Sequence, residues 1–84
     1  MECNLVYWMR ESRERLKGLK FTYCCDNDLA ILNSSGLAEL RRQKALRLMA
    51  EAEKQGARLS YRDLSLILLT SKSTLKRDMR NRAR

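Results

Sequence analysis

Between Leu37 and about Gln55 the apolar positions recur with a helical period: Ala38, Ala45, Leu48, Met49 and Ala52 share one face. Arg47 stands four residues before Glu51, the spacing of an i,i+4 ion pair. Gly56 supplies a C-terminal stop. Ser60 can cap a second helix, and Asp63 three residues on completes an S-x-x-D capping box. Leu59 and Leu64 flank that cap at the N′ and N4 positions of a hydrophobic staple. Ser71 can cap a third helix almost as soon as the second has ended. Helices joined by so tight a turn must cross, which predicts that Leu64 and Leu68 pack against Leu75 and Met79.

The first 36 residues carry a different pattern. Leu5–Arg10 and Leu19–Cys25 are rich in β-formers, and the charged connector ESRERLKG between them ends in Gly18. Two strands in a hairpin fit. One amphipathic helix competes, because Leu5, Trp8, Met9, Leu16 and Leu19 fall on a rough helical stripe; the hairpin is the reading taken here. Asp26–Asn33 offers caps and a short helical turn through Leu29 and Leu32, and Asn33-Ser34-Ser35-Gly36 reads as a loop. The expected fold is therefore mainly α: a trihelical helix-turn-helix core at about 37–55, 60–68 and 71–82, with an N-terminal β-hairpin at about 5–10 and 19–25. The expected organisation is a single small domain over 1–84. Residues 1–36 form its strand and short-helix element, and 37–84 its helix-turn-helix unit.

Charge changes the picture. The chain of 84 residues has a net charge of +8, unevenly placed. Residues 1–40 hold five Lys/Arg against six Asp/Glu, whereas residues 41–84 hold thirteen against four. The excess lies in the half that carries the helix pair, which favours a polyanionic partner over a mixed solvated surface. Within the third helix, Leu75 and Met79 mark the inner edge, and Ser73, Arg77, Arg80 and Arg84 fall on the opposite side at 100° per residue. Lys76 lies on a flank and Lys72 at the exposed first turn. An Arg there can bridge guanine O6 and N7, and a Lys can meet phosphate as a point charge. Ser71 and Thr74 can bring hydroxyls and helix N-terminal N–H groups to a phosphate. The predicted nucleic-acid-binding set is Ser71, Lys72, Ser73, Thr74, Lys76, Arg77 and Arg80. Asp78 is the exception in the basic run, placed to stiffen the helix by an i,i+4 pair with Arg82.

The run Ser71, Lys72, Ser73, Thr74, Leu75, Lys76, Arg77, Asp78, Met79 resembles the recognition helix of bacterial winged helix-turn-helix repressors of the DeoR type. The wider stretch from Leu37 through Gln55-Gly56, Leu59-Ser60, Asp63-Leu64 and on to Arg80 is similar to an uncharacterised prokaryotic helix-turn-helix family. The resemblance implies DNA binding and transcriptional control in a prokaryote. Two positions depart from it. Leu69 stands where the turn usually has Gly, and a left-handed conformation there costs a non-Gly residue about 1–2 kcal/mol. The last helix lies almost at the end of the sequence, so a C-terminal β-wing and its contacts are not carried over.

Other chemistry finds little support. There is no His to shuttle protons, no glycine-rich phosphate loop, and no Cys spacing suited to zinc, so no enzyme, cofactor or metal is expected. Cys3, Cys24 and Cys25 read as reduced thiols of an intracellular, cytoplasmic protein, since no leader and no apolar run near the ~20 residues of a membrane span is apparent. The rival function is a protein–protein module: Leu64, Leu66, Ile67, Leu68 and Leu69 exceed what one helix face can bury. The expected partners are double-stranded DNA and a second copy or larger assembly, with no membrane. RNA fits less well, because the basic half lacks stacking platforms.

Overall fold

The computed structural model describes residues 3–10 and 12–80. The element order is β1 (Cys3–Arg10), β2 (Leu16–Cys24), α1 (Asp26–Ser35), α2 (Leu37–Lys54), α3 (Tyr61–Leu68) and α4 (Lys72–Arg80).

β1 and β2 pair antiparallel, with Leu5 opposite Phe21 and Tyr7 opposite Leu19. Alternation along each strand sends Leu5, Tyr7, Met9, Leu19 and Phe21 to one face, where they meet the helices. Val6 and Trp8 point to the other face and stay exposed. There the Trp8 ring lies over Gly18, 3.0 Å from where a Cβ would stand, so only glycine lets the ring lie this close.

Among the described residues no strand pairs with the second edge of β2, and α2 covers it instead. Side chains one helical turn apart satisfy its backbone: Gln55 accepts from Lys20 N–H at 2.9 Å and donates to Lys20 C=O at 2.7 Å. Glu51 accepts from Thr22 N–H at 2.8 Å. Arg47 donates to Thr22 C=O at 3.2 Å and to Tyr23 C=O at 3.1 Å. A four-residue step on the helix thus matches a two-residue step on the strand, and the edge is closed to other chains. Arg47 also donates to Asp28 at 3.1 Å, tying the start of α1 to the same point. Burial works against the Asp28 charge, but Arg47, the Cys25 N–H and the Cys25 thiol outweigh it and hold the carboxyl below its ordinary range. The expected Arg47–Glu51 pair gives way to these longer-range partners, because each gains a backbone group that would otherwise lack one.

α2 ends in a Schellman turn: Ala57 N–H donates to Ala52 C=O, Gly56 N–H donates to Glu53 C=O, and Gly56 has φ +79°. α3 starts at the Ser60–Asp63 box, with Asp63 N–H donating to Ser60 Oγ at 3.2 Å and Ser60 N–H to Asp63 at 3.0 Å. The Tyr7 hydroxyl donates to the same carboxylate at 2.7 Å, pinning the hairpin to α3.

These contacts correct the expected fold class. The fold is mixed α/β: the described residues are 58% helical and 22% strand, with four helices among them, and they do not form a mainly helical protein built on a trihelical core. Two facts overturn that expectation. Phe21 and Leu19 of the hairpin are among the largest fully buried side chains, joined in one core with Leu48, Leu64 and Leu75. The segment expected as a short turn and loop, 26–36, is a ten-residue helix, α1. Within α2, Ala38 is exposed, whereas Ala45, Leu48 and Ala52 are buried. Among the described residues no helix is long and apolar enough to cross a membrane.

Candidate nucleic-acid interface

α4 begins where Ser71 Oγ accepts from Thr74 N–H at 3.1 Å, the cap that its sequence offers. The Ser71 hydroxyl proton goes to Thr74 Oγ1 at 2.8 Å. Both hydroxyls are thus engaged with each other in the cap, and the first-turn N–H groups of Lys72 and Ser73 are left without an intrahelical partner. Lys72, Ser73, Lys76, Arg77 and Arg80 are exposed, as is Ser71, while Thr74 is half-buried.

The inner side is set by Leu75, fully buried, with Met79 packed partly into the same core. Leu64 and Ile67 of α3 are buried opposite, and Leu68 partly so. Ile67, counted in sequence among the surplus apolar residues, belongs to the core; Leu66 and Leu69 are the ones left outside, at 56% and 85% exposed.

Asp78, the acid of the basic run, is buried. It is 4% exposed, and Arg41 of α2 donates to it through Nε at 2.8 Å. A buried carboxylate needs a cation, and one supplied from another helix also locks α4 in rotation about its axis. With Leu75 and Asp78 facing in, the remaining side of α4 presents its cations to solvent. The expected Asp78–Arg82 pair and the placement of Arg84 lie outside the described residues. Among those described, Lys72, Lys76, Arg77 and Arg80 have no carboxylate partner. Lys76 reaches over the Tyr61 ring at 5.9 Å, and the two line a shallow cleft of about 490 Å³ with Met79 and Arg80.

The turn into α4 takes the left-handed form. Leu69 has φ 55° and ψ 47°, its N–H donates to Ser65 C=O, and Thr70 N–H donates to the same oxygen at 3.1 Å. Packing offsets little of the strain, because the side chain is 85% exposed.

Sequence reading missed Arg41 and Tyr61 as parts of this arrangement. The first had a signal: an Asp on the inner face of a basic helix requires a cation from elsewhere. Tyr61 had none beyond its place in the first turn of α3.

Residues 10–83 match the family described as "Protein of unknown function (DUF1670)". No curated protein and no solved structure matches the chain.

Proposed function

We propose that this chain, which belongs to the DUF1670 family, is a sequence-specific DNA-binding protein of the helix-turn-helix kind, acting in transcriptional control in the cytoplasm of a prokaryote. In this reading α3 and α4 are the helix pair, and α4 enters the major groove. One observation carries it: α4 is fixed by Leu75 and Asp78 on one side and offers Lys72, Lys76, Arg77 and Arg80, without carboxylate partners, on the other. Cations carried on a helix anchored by its inner face are available to phosphate and guanine, and the position of the helix that presents them is set before DNA arrives. Ser73, exposed between Lys72 and the Ser71–Thr74 cap, has a hydroxyl and an N–H for a phosphate oxygen.

The test is selection of duplexes from a random pool by the purified protein, followed by low-salt mobility shifts of Arg77→Ala and Arg80→Ala. Each loss should be about 1–3 kcal/mol and confined to one base position where the Arg is bidentate to guanine. Unchanged affinity in both variants refutes the assignment of α4.

A second reading is favoured by a separate observation. Leu66 and Leu69 are exposed apolar residues on α3 and its exit, and Leu69 lines a groove with Leu37, Leu40 and Leu68. That surface suits a protein partner, either a second copy of a homodimer or a larger assembly, in addition to DNA or in its place. Salt separates the two: duplex binding falls steeply with ionic strength, and apolar association does not.

A further inference from the structure

The cations of this protein that lack ion pairs are not confined to α4. Arg10 at the end of β1, Lys17 near the start of β2 and Arg58 after α2 come from three separate segments and line one cleft of about 160 Å³, whose floor includes Gly56. The Lys17 ammonium lies against Gly56, 3.3 Å from the position a Cβ would take there. Arg13 and Arg15 stand exposed in the hairpin turn just beyond, a turn closed by backbone bonds between Ser12 and Arg15. Among the described residues none of these five cations has a carboxylate within ion-pair distance. Among the described residues the nearby acids are Glu14 in the turn and Glu53, which faces Arg58 across a neighbouring cleft, and in sequence Glu11 adjoins Arg10. Five cations gathered from distant parts of the chain outnumber these three acids, and such an excess of like charge is unfavourable to folding by itself and suits an anion from outside.

The segment that follows Arg58 leads directly to α4. Tyr61, three residues later, is the residue whose ring lies under Lys76 and beside Arg80. Three residues span at most about 11 Å, so Arg58 of the hairpin cluster and Tyr61 of the α4 cluster are close along the backbone. A duplex presents phosphates continuously at this scale, and a helix seated in the major groove leaves the flanking backbone within reach of adjacent elements.

We propose that the turn end of the hairpin, through Arg10, Lys17 and Arg58 with Arg13 and Arg15 at its tip, is a second contact with the phosphate backbone of the same duplex that α4 reads. This rests on the DNA-binding reading above, and it assigns the hairpin a part in affinity and register, not in base choice.

The experiment measures the salt dependence of duplex binding by the full chain, using the best duplex from selection. Wild type is compared with Arg10→Gln/Lys17→Gln/Arg58→Gln and with Lys76→Gln/Arg80→Gln. Because Lys17 is half-buried, the exposed pair Arg10→Gln/Arg58→Gln is measured as well, with thermal melts of every variant. The expected result for the triple variant is a slope of log K against log salt shallower by about 2–3, with the preferred sequence unchanged. The exposed pair should lose about two-thirds of that. If the α4 variant loses affinity while both hairpin variants keep the wild-type slope, the hairpin contact is refuted and the α4 reading stands. If wild type binds no duplex at all, both fail together.

Discussion

Arg41 of α2 and Asp78 of α4 meet at 2.8 Å, with the Asp78 side chain 2% exposed and the Arg41 side chain 22% exposed. The asymmetry predicts unequal mutants. Arg41→Ala leaves a buried carboxylate without its cation and should cost about 1–3 kcal/mol or more. Asp78→Asn leaves Arg41 able to turn to water and should cost less. Arg41→Met with Asp78→Leu should recover much of the loss, since a buried ion pair contributes little beyond an apolar pair of similar size. Urea unfolding of the four proteins decides this; equal costs for the two single variants would contradict the burial difference.

Leu75→Ala should be a folding variant and not a binding one. Leu75 is fully buried in a core shared by the hairpin, α2 and α3, so truncation should cost roughly 2–5 kcal/mol, a large share of the stability of so small a domain. At a temperature where the variant remains folded, its affinity for duplex DNA should match wild type. A thermal melt that superimposes on wild type would show that α4 is not anchored here.

What the sequence could show follows from how far each signal reaches. The caps of α3 and α4 are local, and Ser60, Asp63 and Ser71 make the bonds their spacing offers. The period of α4 is local too, which is why Leu75 and Met79 face inward and Ser73, Arg77 and Arg80 stand exposed as expected. Arg47, Glu51 and Gln55 look like an ordinary polar face, because nothing within their helix reports that the edge of β2 passes beside them. The weight of Leu19 and Phe21 in the core, which makes the fold mixed instead of mainly helical, depends on the same non-local docking. In the site, Asp78 was misplaced because its partner is 37 residues away, and the cleft of Arg10, Lys17 and Arg58 was invisible because its cations come from three segments.

Acid and alkali should each remove one part of the structure. Burial opposes the charge of Asp63, yet the Ser60 N–H and the Tyr7 and Ser60 hydroxyls hold its carboxyl below the ordinary range, and Asp28 is held low in the same way by Arg47. Depressed carboxyls stabilise the fold above their unfolded value of about 3.9, and that stability is lost as pH falls through the folded values. Tyr7 runs the other way: burial and its bond to Asp63 push its hydroxyl up to about 12. Its contribution is complete below about pH 10 and disappears as pH rises through 12. Melting temperatures across pH should show Asp28→Asn with a smaller acid decline than wild type, and Tyr7→Phe with a smaller alkaline one. Profiles parallel to wild type at both ends would refute these assignments.

Leu69→Gly should stabilise the protein. The left-handed conformation at φ 55° costs leucine about 1–2 kcal/mol, and an 85% exposed side chain gives little packing in return. Glycine loses about 0.5–1 kcal/mol of this through the entropy of its unfolded chain, leaving a gain of about 0–1.5 kcal/mol. A higher denaturation midpoint with unchanged slope is the expected result; a lower one would mean that Leu69 makes contacts in the folded protein after all.

The final prediction concerns assembly. Leu66 is 56% exposed on α3 although its neighbours Leu64 and Ile67 are buried, so α3 carries more apolar surface than its own core uses. An 84-residue chain has a small core, and two copies related by a two-fold axis would cover this surface and read half-sites about one helical turn apart. Sedimentation at micromolar concentration should give a dimer, and Leu66→Lys should shift it towards monomer with little change in melting of the single fold, because the side chain is outside the core. The selected DNA sites should then be palindromic for wild type, and single half-sites should suffice for Leu66→Lys at lower affinity. A wild-type monomer that binds one non-palindromic site at full affinity would exclude the dimer.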